Sequence, residues 1–496
     1  VSVRPQALAS SLLSIISDDS ERLERIDLYI NGIQDEPYMP KTADEEYKLL
    51  AKRAVSNWMP LIIGTPAQAL YVDGFRASRQ KAEDDNRETP EWKHWQASGL
   101  DARQLAVHRA ALGYGHSFTL TERKNGKVVT KGLSPLRTAA LYEDAANDNA
   151  PYAALTIIEY PKLVNEKTKR GVARLWDGTH EYKVLFESLA GDNQKVSIVK
   201  KKPHGAPECP VTRFAAAVDL EGRTCGVVEP MIPLQNRINQ TVFDLLVTQT
   251  YASFKVRWVT GMAPPMQMKM LDADGAETDD PNLAVDVVPR LDGNGNPIPQ
   301  NIDHNARRFL FAEDADTKFG SLDESPLGGF IESIDMSIRH LAAVSQTPPH
   351  YLLGQIANLS AEALTAAETA LARKVEEFRQ AFGESWERVF RIAGAMDGDS
   401  QVFEDDGGEV LWRDMESRSL AQSADALGKL AEALEIPKRG LWHRVPDVTQ
   451  NEIKNWKELR EEDDIDGQMA DALHRASAFG SATSTDTNSR GNLTEG

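Results

Sequence analysis

The chain has 496 residues, a formal net charge of −19, a charged fraction of 26% and a hydrophobic fraction of 41%. That length exceeds one simple core and predicts about two to four lobes of ordinary globular composition. The acidity excludes a protein that grips nucleic acid by neutralising phosphates, which needs clustered Lys and Arg, but it is compatible with one past which DNA slides without sticking.

Residues 8–16 are apolar and follow Arg4, and no small-residue cleavage site precedes Asp18-Asp19, so they read as an amphipathic first helix rather than a signal peptide. No window reaches the ~18 consecutive apolar residues of a membrane span, and no membrane partner is expected. Thr42-Ala43-Asp44-Glu45 matches a capping box, after which Tyr47, Leu50, Ala54, Trp58 and Leu61 line one helix face. After Gly113 the period changes to two. Phe118 and Leu120 alternate with polar neighbours, Asn125-Gly126 signals a hairpin turn, and Val128-Val129 begins the return strand. Strand-like runs at 153–160, 172–176, 182–186 and 196–200 then predict an antiparallel meander within an α+β lobe. Cys209 and Cys225 form no CxxC pair and read as free thiols of a reducing compartment.

Helix returns at Glu229-Pro230. Ile238, Val242, Leu245 and Gln249 share one face, with the amides Gln235, Asn236, Asn239 and Gln240 on or near the others. A surface rich in amides and poor in charge packs against polar neighbours or faces a lumen. An excursion rich in Pro, Gly and Asp follows, with strand candidates at 255–259, 284–288 and 308–311. Ile331, Ile334, Ile338 and Leu341 then form one helical stripe, which must stop near Gln346-Thr347-Pro348-Pro349 because proline disfavours helix before it and donates no backbone hydrogen bond.

Ser360 offers an N-cap with Glu362 in the first turn. From Leu364 through Leu371, Val375, Phe378, Phe382, Trp386, Val389 and Ala393 the three-four rhythm persists. A run of roughly 35 residues, about 50 Å long, is an architectural strut. After Gly398 the chain is acidic and broken, then helical over 415–434 and 448–479. Residues 481–496 have almost no apolar side chains and are expected to be disordered.

No Walker loop, GxSxG elbow, His-Glu-x-x-His motif or paired metal-ligand cluster occurs, so no enzyme, cofactor or metal is expected, and the chain is not an ATPase motor. Asp292-Gly293-Asn294-Gly295-Asn296 partly imitates a calcium loop but lacks the glycine at position six and carries Asp303 at the last position, so it reads as a turn. His108 and His116 have no third donor at a defined spacing, and Lys200-Lys201-Lys202 reads as a solvated face. The segment from Gln346 to Leu359 has no charged residue and joins two strong helices; it is either an ordinary buried connection or a functional loop.

The order of apolar helix, Ser345-Gln346-Thr347-Pro348-Pro349, Leu353-Gly354, Asn358-Leu359-Ser360-Ala361-Glu362-Ala363-Leu364 and long helix resembles the portal proteins of tailed double-stranded-DNA bacteriophages. Upstream, Asn57, Leu70-Tyr71-Val72-Asp73-Gly74-Phe75, Leu112-Gly113-Tyr114-Gly115 and Leu234-Gln235-Asn236-Arg237-Ile238-Asn239-Gln240 fall in the order that family leads one to expect. The resemblance implies an α+β portal fold of wing, stem, clip and crown in a homo-oligomeric ring with a central channel. Residues 1–228 would be N-terminal helices and wing, 229–254 and 330–345 stem helices, and 255–329 the clip. Residues 346–360 would be the tunnel loop, 361–414 the long wing helix and connector, 415–480 the crown and 481–496 the tail.

It further implies stem packing by Ile238, Val242, Leu245, Ile331, Ile334, Ile338 and Leu341, and a tunnel loop whose Gln346, Thr347, His350, Tyr351, Gln355 and Asn358 face the channel. Leu352, Leu353, Ile356 and Leu359 would pack that loop onto adjacent subunits. The implied partners are further copies in a virion dodecamer, double-stranded DNA, the terminase large subunit, a head-tail adaptor, the major capsid protein and the scaffold. The implied place is the capsid portal vertex, after assembly in the host bacterial cytoplasm. Two rival readings are another phage structural component, such as a minor head or scaffolding protein, of which scaffolds would be mostly helical, and a nuclease-like enzyme, which would need an acidic cluster beside a basic groove.

Overall fold

The computed structural model describes residues 4–40, 45–78, 89–164, 167–191, 194–252, 257–260, 266–298, 318–321, 326–354, 361–413, 420–445 and parts of 448–462. The chain divides into two compact units, one formed by Val1–Pro37, Val55–Asn239 and Asp335–Gly496, the other by Tyr38–Ala54 and Gln240–Ile334.

In the first unit, helix α1 (Pro5–Ile30) starts on a proline whose fixed φ suits a first turn. Its Leu8, Ala9, Leu12, Leu13 and Ile16 are buried against a five-stranded antiparallel sheet. The expected single helix face from Tyr47 to Leu61 is instead split, with α2 (Glu45–Ala54) in the second unit and α3 (Met59–Gln68) in the first. Pro60 is the reason, because a continuous helix would leave the Ser56 carbonyl without its i+4 donor. Next come β1 (Val72–Arg76), α4 (Pro90–Ser98), α5 (Leu100–Tyr114) and the hairpin of β2 (His116–Lys124) and β3 (Lys127–Leu133). Asn125 and Gly126 both take positive φ (52° and 80°), which fits a two-residue hairpin turn.

The expected single meander is two sheets. Strands β4 (Thr138–Leu141), β5 (Ala153–Glu159), β8 (Gly171–Trp176), β9 (His180–Phe186) and β10 (Ser197–Pro203) pair in the order β10-β9-β8-β5-β4, with β6 (Lys162–Val164) and β7 (Lys167–Lys169) as a side ribbon. The β2–β3 hairpin pairs instead with β11 (Val211–Ala215). Every residue of β11 is buried, so it lacks the alternation that marks a half-exposed strand. One face of the larger sheet, with Leu155, Leu175, Val184 and Phe186, meets α1. From its other face Ala154 and Trp176 meet Phe118, Leu120 and Val211. Period-two alternation thus feeds two cores from one sheet.

Across β2 and β11 lies the strut, α9 (Ala361–Asp397), 37 residues long. Trp386 is the centre of an aromatic cluster, with ring centroids 4.9 Å from Trp95 and 4.6 Å from Phe214. Arg388, two residues on, is buried and donates to the carbonyls of Cys209 and Val211, fastening the helix to β11. After α9 come α10 (Ser400–Phe403) and β17 (Glu409–Trp412), which pairs antiparallel with β1, and then α11 (Leu420–Ala433) and α12 (Lys438–Leu441).

The second unit holds α2, the C-terminal part of α6 (Ile232–Ala252), two small β arrays and the start of α7 (Gly328–Ser345). Strand β12 (Arg257–Thr260) pairs with β16 (Lys318–Ser321), and β13 (Met268–Leu271) lies between β14 (Glu277–Thr278) and β15 (Asp286–Pro289). Leu50, Ala51 and Ala54 pack on Phe243. The strand candidate at 308–311, the Ser360 cap, most of the 448–479 helix and the 481–496 tail lie outside the described residues.

Candidate functional site

The amides of α6 build a hydrogen-bonded joint. Gln235 Nε2 donates to the Ser56 carbonyl at 2.6 Å, supplying the donor that Pro60 lacks, and Gln235 Oε1 accepts from the Trp58 amide at 3.2 Å. One turn on, Asn239 Oδ1 accepts from the Ser56 amide and from Gln235 Nε2, while Asn239 Nδ2 donates to Gln34 at 2.7 Å. Gln34 passes the chain to Asn57, whose Oδ1 also accepts from the Met59 amide at the start of α3. Asn236 accepts from the Tyr29 hydroxyl at 2.6 Å. Gln235 and Asn239 are buried, and their satisfied amides fix a unique register where an apolar face could slide. Of the two alternatives for this surface, these amides take the polar-neighbour one. In the second unit, Gln240 Oε1 accepts from the Tyr38 amide at 2.6 Å.

Helix α7 ends in a Schellman turn. The Thr347 amide donates to the Ala342 carbonyl at 3.0 Å and the Gln346 amide to Ala343 at 3.3 Å, with Gln346 at φ +54°. Glycine is usual at this position, because a side chain in the left-handed region costs about 1–2 kcal/mol. The Ser345 carbonyl at the helix end is closed by Lys374 Nζ of α9 at 2.9 Å. Burial pushes the Lys374 ammonium below the usual lysine range. Nothing in the sequence marks Lys374 for this role, since its partner is a backbone atom.

The 346–360 segment is also not wholly a loop, since Pro349–Leu353 forms a short helix, α8, closed by Gly354 at φ +65°. Of the six side chains expected to face a channel, Gln346 and Tyr351 are exposed, whereas Thr347 and His350 are buried within the chain. Thr347 Oγ1 accepts from the Ser345 hydroxyl at 3.0 Å; His350 packs edge-on to Tyr351, with Glu368 of α9 about 4.0 Å away. Gln355 and Asn358, with Ile356 and Leu359, lie outside the described residues. Leu352 is buried and Leu353 half-buried.

Among the expected stem-packing residues, Ile238, Ile338 and Leu341 are buried in the first unit. Val242, Leu245 and Ile334, in the second, are half-buried, and Ile331 is 59% exposed. Arg237 donates to His340 Nδ1 at 3.0 Å, tying α6 to α7.

The remaining motifs have structural occupations. His108 donates from Nδ1 to the Leu70 carbonyl and accepts at Nε2 from the Trp386 indole at 2.9 Å; burial pushes its pKa down to about 3. His116 bonds Thr224 and is likewise pushed to about 3, by burial and by Arg22 and Arg213. Asp292 spends one carboxylate oxygen on the Asn294 and Asn296 amides, which makes the sequence a turn. Lys200, Lys201 and Lys202 are exposed on the edge strand β10, where lysines discourage further strand pairing.

Two long helices, α6 and α7, thus flank a strand-bearing excursion, and α7 returns through a capped turn to a 37-residue strut on an α+β scaffold. The chain belongs to the phage portal protein family, SPP1 Gp6-like, whose model matches residues 11–466. It is 24% identical over 434 residues to the portal protein of Mycobacterium phage L5, a span covering 86% of this chain and 82% of that one. To the portal protein of Mycobacterium phage D29 it is 25% identical over 378 residues, covering 75% and 71% respectively. The family implied by residue order is therefore the one the chain belongs to. Among the described residues no helix is long and apolar enough to cross a membrane.

Proposed function

We propose that copies of this chain assemble into a ring, a dodecamer in the virion, at one vertex of the capsid, through which double-stranded DNA enters during packaging and leaves during ejection. Membership of the portal family over 11–466 is the observation that supports this reading. Residues 229–254 and 330–345 serve as stem, 255–329 as clip, 361–414 as wing helix and connector, and 415–480 as crown. Ile331, exposed in the single chain, is the part of the apolar stripe that a neighbouring copy covers.

The segment after α7 serves as tunnel loop, with Gln346 and Tyr351 as DNA-facing side chains and Gln355 and Asn358 completing it. Thr347 and His350 hold its shape from inside. A neutral loop on a chain of net charge −19 guides a polyanion sterically, without the counterion release that would hold it in place. The ring performs no chemistry and requires no cofactor. It docks the terminase large subunit and later a head-tail adaptor, and contacts the major capsid protein and scaffold.

Electron microscopy of the purified protein tests the assembly: rings with a central hole about as wide as duplex DNA are expected, and particles without a hole would overturn it. For the loop, a Gln346→Lys, Tyr351→Lys double variant should bind duplex DNA more tightly and with greater salt sensitivity than the wild type. Unchanged affinity at low salt would remove those two side chains from the channel wall.

A further inference from the structure

Residues 159–204 carry ten Lys and Arg against six Asp and Glu, so this stretch is basic in a chain of net charge −19. Strand β10 ends the five-stranded sheet, and in its pairing with β9 Lys200 stands directly opposite Lys183. Like charges so placed repel. The nearby acids are already engaged, Glu122 by Arg174 and Lys131, Glu181 by Arg174 and Lys202. Among the described residues neither Lys183 nor Lys200 has an ion-pair partner. Val199, at the bulge between Ile198 and Lys200, is 58% exposed beside them.

Helix α1 carries the opposite charge. Asp18, Glu21, Glu24, Arg25 and Leu28 recur at helical spacing and are all exposed. Arg25 is neutralised by Asp35 at 3.0 Å, whereas the three acids have no ion-pair partner among the described residues. Ile33, 65% exposed, donates its amide to the Leu28 carbonyl, so two apolar side chains border the acidic stripe.

The two patches point opposite ways. Tyr182, Val184 and Phe186 of β9 share a core with Leu8, Leu12 and Ile16 of α1, so Lys183 and Lys200 leave by the other face of the sheet. The acids lie on the side of α1 opposite Leu8, Leu12 and Ile16, turned away from the sheet. Patches on opposite faces cannot both meet the same neighbour, and neither can face its own copy without repulsion. Contact between the unlike patches is head-to-tail, the kind that closes into a ring when repeated around an axis.

We propose that the basic face of β9 and β10, through Lys183 and Lys200, docks on the Asp18, Glu21 and Glu24 face of α1 in a second copy of the chain, with Val199, Leu28 and Ile33 as its apolar part. This interface rests on the ring reading above and names one of the contacts that close it.

Charge reversal tests it in the full chain, with assembly followed by sedimentation at low ionic strength. Lys183→Glu with Lys200→Glu makes both faces acidic, and Asp18→Lys with Glu21→Lys makes both basic. Each double variant alone should keep the wild-type denaturation midpoint within a few degrees, since all four sites are exposed, and self-associate at least about tenfold more weakly. Mixed one to one, the two should assemble again, alternating around the axis, which mass measurement with one variant isotopically labelled reads directly. Added salt should weaken wild-type assembly, because exposed charges are screened beyond about 8 Å at physiological ionic strength. Wild-type rings that persist unchanged in either double variant, or a mixture that fails to recover, would overturn this interface and leave the ring reading standing. A wild-type protein that does not self-associate at all would overturn both.

Discussion

Along α9, Phe378, Phe382, Trp386, Val389, Phe390 and Ala393 are all buried by the chain's own β2, β11, α4 and α5, whereas in the excursion Met268, Leu283, Val285, Val287 and Leu291 are each more than half exposed. Both regions are furnished with apolar residues, so hydrophobicity alone does not separate them. What separates them is the supply of covering surface. The strut crosses two layers of sheet and helix that fill the space around it, while among the described residues the apolar side chains on and beside the excursion's three-stranded array stay exposed. The proposed ring of identical copies would cover such a segment from outside the chain.

Substitutions can break this comparison, and the largest effect belongs to the strut. Trp386→Ala empties the centre of the aromatic cluster and strands His108 Nε2, and should destabilise the chain by about 3–5 kcal/mol in chemical denaturation. A cost near zero would mean the seam does not hold the first unit together.

Buried histidines make the first unit acid-sensitive. His108 and His116 are neutral when folded, with pKa pushed to about 3, and take up a proton in the unfolded chain near the ordinary 6.5. The unfolded state therefore binds more protons between those values, so this stability is complete above pH 6.5 and declines as pH falls toward 3. Each histidine should contribute a loss of about 2 kcal/mol between pH 7 and pH 5. Denaturation midpoints across that range measure it, and a flat profile would place both side chains in water.

At the amide joint, Gln235→Leu leaves the Ser56 carbonyl and the Trp58 amide without partners and should cost about 1–3 kcal/mol. A loss confined to a few tenths would show that water replaces the amide. Gln346→Gly should raise stability by up to about 1 kcal/mol by relieving the left-handed side chain, partly offset by the greater freedom of glycine when unfolded. The smallest effect on folding is expected in the excursion. Val287→Asp, on the 51% exposed Val287, should change chain stability by less than about 0.5 kcal/mol while lowering the yield of the proposed rings in sedimentation. If it instead unfolded the chain as Trp386→Ala does, the contrast between the two regions would collapse.

Much of this was legible in residue order. The period of α9 predicts its length to within a few residues, because one apolar stripe that long admits no other regular structure, and Asn125-Gly126 sets the hairpin because that pair accepts two positive φ values. The Pro348-Pro349 stop after α7 is equally local. The portal family, too, was written in the spacing of motifs along the chain.

Tertiary structure alone decided the rest, wherever the deciding partner is distant in sequence. β11 has no alternation of its own and is a strand because β2 offers a free edge. The break at Pro60 could be suspected from proline, yet its stability rests on Gln235, whose amide replaces the missing donor from 179 residues away. Thr347 and His350 read as polar loop residues, but they turn inward because the Schellman turn and α8 direct them there and α9 brings Lys374 and Glu368 beneath. Local pattern fixes which groups need partners, and only the packed chain decides which distant groups supply them.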